Sequence, residues 1–264
     1  MKSSKQIVKT SNLKTSLALL AAGLALCHIG HADNVAVVPS EYANTPGTAE
    51  IGEVINGYNS SAGQTLQYVI PEAYLSGLTS QNLTGMAFRL NVNYAPDLPQ
   101  INYTDFTVQL STFTGDFLST TFAENLADPT TVKAGAFSFD AGAFPTGGNS
   151  ETPNGFGYFI TFDNAYAYSG GNLLVTIQHA QPVGGETSSY WSVDSYFDES
   201  GYGTVIGHDA NATDGFTVGV SPITEFTSAP LNANGTTIEA APEPSTMALA
   251  ALGGAGLLFY RRRK

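Results

Sequence analysis

Apolar and polar residues alternate over short runs through most of this chain, and Gly, Pro, Asn, Asp, Ser and Thr separate the runs. Met86, Phe88 and Leu90 fall on one face of an extended segment, with Ala87, Arg89 and Asn91 on the other. Phe106, Val108 and Leu110 alternate with Thr107 and Gln109, and Leu173, Val175 and Ile177 oppose Leu174, Thr176 and Gln178. This period of two predicts strands over 65–70, 83–92, 106–112, 133–139, 157–162, 172–180, 189–197, 216–220 and 223–226. Helical periodicity is nearly absent, with one turn expected over 121–126. The expected fold is all-β: an antiparallel β-sandwich, jelly-roll-like because the loops 96–102, 142–153 and 198–215 are long.

The two ends follow another pattern. Lys2 to Lys14 is basic, Leu17 to Leu26 is apolar, and Gly30-His31-Ala32 sets small residues at −3 and −1 before Asp33. That is the three-part arrangement of a secretory signal peptide cut between Ala32 and Asp33, its core too short to span a bilayer. Cys27, the single cysteine, leaves with this leader; Leu26 before it is larger than a lipoprotein peptidase takes. A body without cysteine must rely on packing and sheet hydrogen bonds. At the other end, Pro242-Glu243-Pro244 precedes an apolar stretch from Met247 to Tyr260, and Arg261, Arg262, Arg263 and Lys264 follow. The stretch is roughly 21 Å long as a helix, enough for a short transmembrane helix when the terminal arginines snorkel. Terminal basic residues stay cytoplasmic, which places the body outside.

This C-terminal arrangement resembles the PEP-CTERM sorting signal of Gram-negative bacteria. The resemblance implies export by the Sec machinery and transient anchoring in the inner membrane. It further implies processing near the motif by an exosortase, a membrane cysteine protease, and delivery to the outside, often alongside exopolysaccharide production. It covers only the last residues of the chain. Leu83 to Arg89, Phe106 to Ser111 and Gly170 to Ile177 also resemble a loosely related group of exported bacterial β-domains, which bears on the fold alone. The expected organisation is signal peptide 1–32, β-sandwich 33–227, flexible stalk 228–241 and sorting signal 242–264.

Charge narrows the function further. Outside the leader and the terminal basic run stand only Arg89 and Lys133 against all 22 acids, so the exported part carries 2 − 22 = −20. Phosphate binding depends on Lys and Arg replacing counterions, so nucleic acid is excluded as a partner. Arg89 is expected to point outward and pair with a local acid, and Lys133 to lie on the surface.

Candidate chemistry is sparse. The body has two histidines, His179 at a strand end and His208 in a Gly/Asp loop, both expected to be solvated, and no Gly-x-Ser-x-Gly. Two histidines without paired spacing make a weak zinc site, and 22 acids make some close carboxylate pair inevitable without pointing to hydrolysis. Two features stand out. Tyr190, Trp191 and Tyr196, flanked by acids, would form a sugar-stacking platform on an exposed strand face; alternation sends Tyr190 and Trp191 to opposite faces, one into the core. Asp198, Asp209, Asn211 and Asp214 offer oxygen ligands for a structural calcium, although Asp214 stands where an EF-hand needs glycine and Val220 where it needs glutamate. No other cofactor is expected. The resulting expectation is an exported, non-catalytic surface or matrix protein. The alternatives are a module binding extracellular polysaccharide and a secreted glycoside hydrolase or lyase.

Overall fold

Fifteen strands form among the residues described by the computed structural model, 34–52, 54–55, 62–93, 98–183 and 191–230, all within one unit, Asp33–Ile238. In chain order they are β1 (Asn34–Val38), β2 (Ala49–Ile51), β3 (Gln64–Ile70), β4 (Gln81–Ala87), β5 (Ile101–Tyr103), β6 (Phe106–Phe113), β7 (Thr130–Lys133), β8 (Phe137–Phe139), β9 (Ile160–Tyr168), β10 (Asn172–His179), β11 (Val193–Phe197), β12 (Thr204–Gly207), β13 (Phe216–Val218), β14 (Val220–Pro222) and β15 (Thr224–Pro230). They build a four-stranded sheet β1-β15-β4-β9, a six-stranded sheet β13-β12-β3-β10-β6-β7, a three-stranded sheet β14-β11-β2 and the pair β5-β8. Every pairing is antiparallel. The pairs β1–β15, β3–β10, β4–β9 and β6–β7 are nested, outermost in sequence to innermost.

The predicted alternation packs the two large sheets together. Leu66, Tyr68 and Ile70 of β3, Phe106, Val108 and Leu110 of β6, and Leu173, Val175 and Ile177 of β10 share one buried cluster with Val38, Leu83, Met86, Ile160, Phe162 and Phe226 of the four-stranded sheet. Each fully buried apolar side chain contributes about 1.5–3 kcal/mol. In β4 the register shifts between Leu83 and Gly85, so inward positions change from odd (Leu83) to even (Met86, Phe88, Leu90). Gly85 is needed there, because a Cβ would sit 2.9 Å from Thr227 Oγ1 and 3.2 Å from Ile160 O.

The outer face of the six-stranded sheet is also covered. Val69, Leu174 and Val205 pack with Phe113, Leu118 and Phe122, and the predicted single turn appears as a 3-10 turn, Phe122–Asn125. Gln67 donates to Phe122 O (3.2 Å) and Thr176 Oγ1 (3.1 Å), and Asn125 Nδ2 donates to Gln67 Oε1 (2.8 Å), pinning this cover to the sheet.

Several boundaries differ from expectation. The run 133–139 is two strands, because Gly135 takes φ +96, a left-handed turn that ends β7. Likewise 216–220 divides at Gly219 into β13 and β14, and 83–92 narrows to β4, with Leu90 bridged to Val193. The strand expected over 157–162 begins at Ile160 and runs to Tyr168, and the one expected over 223–226 runs on to Pro230. The expected loop 198–215 contains β12, four buried residues paired with β3. The expected stalk begins later, since Ser228–Pro230 lies in β15 against Gln81–Leu83. The remaining stalk, the leader and the tail lie outside the described residues, and among those described no helix is long and apolar enough to cross a membrane.

Candidate functional site

Arg89 is placed opposite to expectation. It is 1% exposed and its Nε lies 2.8 Å from Oδ2 of Asp194, itself fully buried. Arg89 also donates through Nη2 to Thr45 O (2.7 Å), and its guanidinium stands 5.1 Å from the Phe156 ring centroid. Asp194 further accepts from Gly47 N (3.0 Å to each oxygen) and Asn91 Nδ2 (3.4 Å). Backbone bonds tie the pair down, with Asp194 N donating to Arg89 O (2.8 Å) and Asn91 N to Ser192 O (2.9 Å). β11 pairs alongside residues 89–91, with Leu90 bridged to Val193, so Arg89 and Asp194 are cross-strand neighbours, and Thr45, Gly47 and Phe156 meet them on the face that local alternation leaves polar. Burial pushes the Asp194 carboxyl above the ordinary carboxylate range, against the pull of Gly47 N–H and Arg89. Glu225 is raised by burial as well, with Arg89 pulling it down. Of the body's two basic residues, one is thus a core counter-charge. The other, Lys133, pairs at 2.8 Å with Asp163, whose exposed carboxyl the lysine holds below its usual range.

The aromatic platform is not presented as drawn from sequence. Trp191 is 2% exposed within the main core, the inward place that alternation gave to one of Tyr190 and Trp191, and Tyr196 is buried; Tyr190 lies outside the described residues. Tyr196 stacks on Tyr42 (5.7 Å) and meets Tyr74 edge-on (6.2 Å). Burial, then Glu41, Asp198 and Glu199, raise the Tyr74 hydroxyl. His179 is not solvated but 1% exposed, against Tyr103 (5.0 Å) and stacked near Phe106 (6.1 Å). His208 is exposed, beside Phe216 (5.3 Å).

The oxygen-rich segment is divided among local turns. Asp198 accepts from Ser200 N (2.9 Å), Ser200 Oγ and Gly203 N (2.8 Å). Asp209 Oδ1 accepts from Asn211 N (2.7 Å), while Asp214 accepts from Thr121 Oγ1 (2.8 Å) and Thr213 Oγ1 (2.9 Å). Those two hydroxyl bonds hold the exposed Asp214 carboxyl below its usual range. Among the described residues no group of three or more His, Cys, Asp or Glu side chains is placed to hold a metal ion.

One open cleft, about 770 Å³, is lined by Asn102, Tyr103, Thr104, Ala136, Phe137, Ser138 and Val183. Three distant segments meet there: β5 pairs with β8, and Asn102 bridges Val183. Their separation in sequence left no local signal of the cleft, just as nothing local linked Arg89 to Asp194.

Pro242, Glu243, Pro244, Arg261, Arg262, Arg263, Lys264, Ala32 and Asp33 all lie outside the described residues. What the described fold fixes is where the chain leaves it, at Pro230, beside Gln81, which in turn pairs with Tyr168. Residues 240–264 match the PEP-CTERM protein-sorting motif. No curated protein and no solved structure matches the chain. The chain thus carries the motif that directs an exported protein to an exosortase.

Proposed function

We propose that this protein is exported by the Sec machinery, held in the inner membrane by its C-terminal helix until an exosortase removes the tail, and then serves as a non-catalytic protein of the cell surface or extracellular matrix. The observation that carries the proposal is the sorting motif at 240–264, which begins ten residues after the last strand residue, Pro230. The apolar stretch begins at Met247, 17 residues after Pro230 (247 − 230), so the connection reaches at most about 60 Å and tethers the domain to the bilayer while the tail is in place. The fold suits both cuts. β1 begins at Asn34, so cleavage between Ala32 and Asp33 leaves every strand whole, and Asn34 lies opposite Ser228, so both termini leave together.

A non-catalytic role is supported by how the reactive side chains are used. Asp194 neutralises Arg89, Asp198 closes its own loop, and His179 is packed between rings. The nested pairing β1–β15, β3–β10, β4–β9 and β6–β7 is the order of a jelly-roll, which we assign as the architecture of the two main sheets.

Intact-mass spectrometry of the native protein from membrane and medium tests the reading. A species beginning near Asp33 and ending near the Pro-Glu-Pro motif is expected. A full-length tail found only in membranes would show permanent anchoring and overturn the processing step.

A further inference from the structure

The cleft at β5 and β8 lies at the end of the sandwich opposite Pro230, the last described residue. In β6 and β10, Phe106 pairs with His179 at one end and Phe113 with Asn172 at the other. Asn172 follows Tyr168 by a short corner, and Tyr168 sits in the row leading through Gln81 to Pro230, where the chain departs. The cleft gathers at the Phe106–His179 end, where Phe106 N donates to Gly135 O (2.9 Å) and Ala180 N to Asp105 O (2.9 Å). The length of β10, eight residues, separates the two ends by about 24 Å.

We propose that this cleft binds a neutral saccharide chain. Its volume, about 770 Å³, is that of a small-ligand site. Among the described residues no charged side chain lines it; it offers the Asn102 amide, the Thr104 and Ser138 hydroxyls, and the apolar surfaces of Phe137 and Val183. Ser138, Asn102 and Val183 stand side by side across three strand segments, so their side chains face the same way. Hydroxyl and amide groups match sugar hydroxyls in both donor and acceptor roles, while Phe137, next to Ser138 in β8 and paired with Tyr103, turns to the opposite face and packs against the core beneath the cleft. Packing against Phe106 (5.1 Å) and Phe139 (4.9 Å) holds that ring in place. At the rim, Lys133 stands 5.9 Å from the Phe137 centroid with Asp163 bound to it, leaving no net charge there. An exported body carrying 2 − 22 = −20 repels an anionic polymer, which selects a neutral one. The proposal rests on the reading of an exported protein for the charge of the mature body.

The test is the purified full chain on an array of neutral and acidic oligosaccharides, followed by titration with the tightest neutral binder. Asn102→Ala, which removes both a donor and an acceptor, is expected to weaken binding tenfold or more. Thr104→Ala and Ser138→Ala, both at exposed positions, should each weaken it about two- to tenfold, as one lost hydrogen bond does. These two variants keep the test valid if Asn102→Ala fails to fold. Retention of acidic glycans alone, of no neutral glycan, or neutral binding unchanged by both hydroxyl deletions would overturn the proposal. None of these outcomes depends on where the tail is cut.

Discussion

Replacing Arg89 with Met should be among the most damaging single changes in the domain. The substitution roughly preserves volume, so the loss is electrostatic. It removes the 2.8 Å bond from Nε to Asp194 and the 2.7 Å bond from Nη2 to Thr45 O. Asp194, with no exposed surface, keeps the backbone N–H groups of Gly47 and Ser195 and the Asn91 amide as donors. A buried charge stripped of its partner costs about 3–5 kcal/mol. For a domain of this size that lowers the melting temperature by about 6–20 °C. Urea denaturation at constant m-value measures it, with Lys133→Met at the exposed pair as the comparison, expected to cost below about 1 kcal/mol. The double variant Arg89→Met/Asp194→Leu should recover part of the loss. It cannot recover all of it, because Gly47 N–H then lacks its acceptor, at about 1–3 kcal/mol. The pH dependence has a defined sign. Without Arg89 the native-state pKa of Asp194 rises further above its unfolded value. The native state then holds the proton more tightly, so the variant loses stability as pH rises through that window and regains it on acidification. A loss below about 1 kcal/mol, or no coupling in the double-mutant cycle, would refute the account of Arg89 as a core counter-charge.

Other consequences can be checked together. Burial pushes the Tyr168 hydroxyl up to about 12 and those of Tyr68, Tyr103 and Tyr196 higher still. Raised folded values give stability that is present below the unfolded tyrosine pKa of about 10 and is lost as pH rises above it. Tyrosinate absorbance should therefore show a late step coincident with alkaline unfolding, and a smooth titration of every tyrosine near its ordinary pKa would contradict this. Trp191, 2% exposed, should emit at short wavelength and resist iodide quenching until the domain unfolds, and Trp191→Ala should cost about 3–5 kcal/mol. Asn125→Ala removes the 2.8 Å bond to Gln67 Oε1; a loss of about 1–3 kcal/mol and faster amide exchange confined to 119–126 are expected, whereas unchanged exchange would show that the cover is held by apolar contacts alone.

The class of fold and the sorting motif are legible along the chain because both are written in local patterns. Alternation at Met86–Phe88–Leu90, Phe106–Val108–Leu110 and Leu173–Val175–Ile177 faces the core as the period of two requires. The sorting motif is read from contiguous residues, 240–264, and needs no fold to be recognised. Local signals failed where a strand is short or a second layer covers its outer face. β12 is four residues between turns, and its place against β3 comes from pairing across more than a hundred residues of chain. Arg89 was expected to face solvent, since a strand's own alternation cannot show that another segment packs over its polar side, and alternation left open which of Tyr190 and Trp191 enters the core. Long-range packing is what brings Arg89 to Asp194 from 105 residues away, sets His179 against Tyr103 and Phe106, and gathers segments around 102, 137 and 183 at one cleft. Such contacts depend on which strands become neighbours, and that choice is made by the burial of the whole domain together rather than by any one segment.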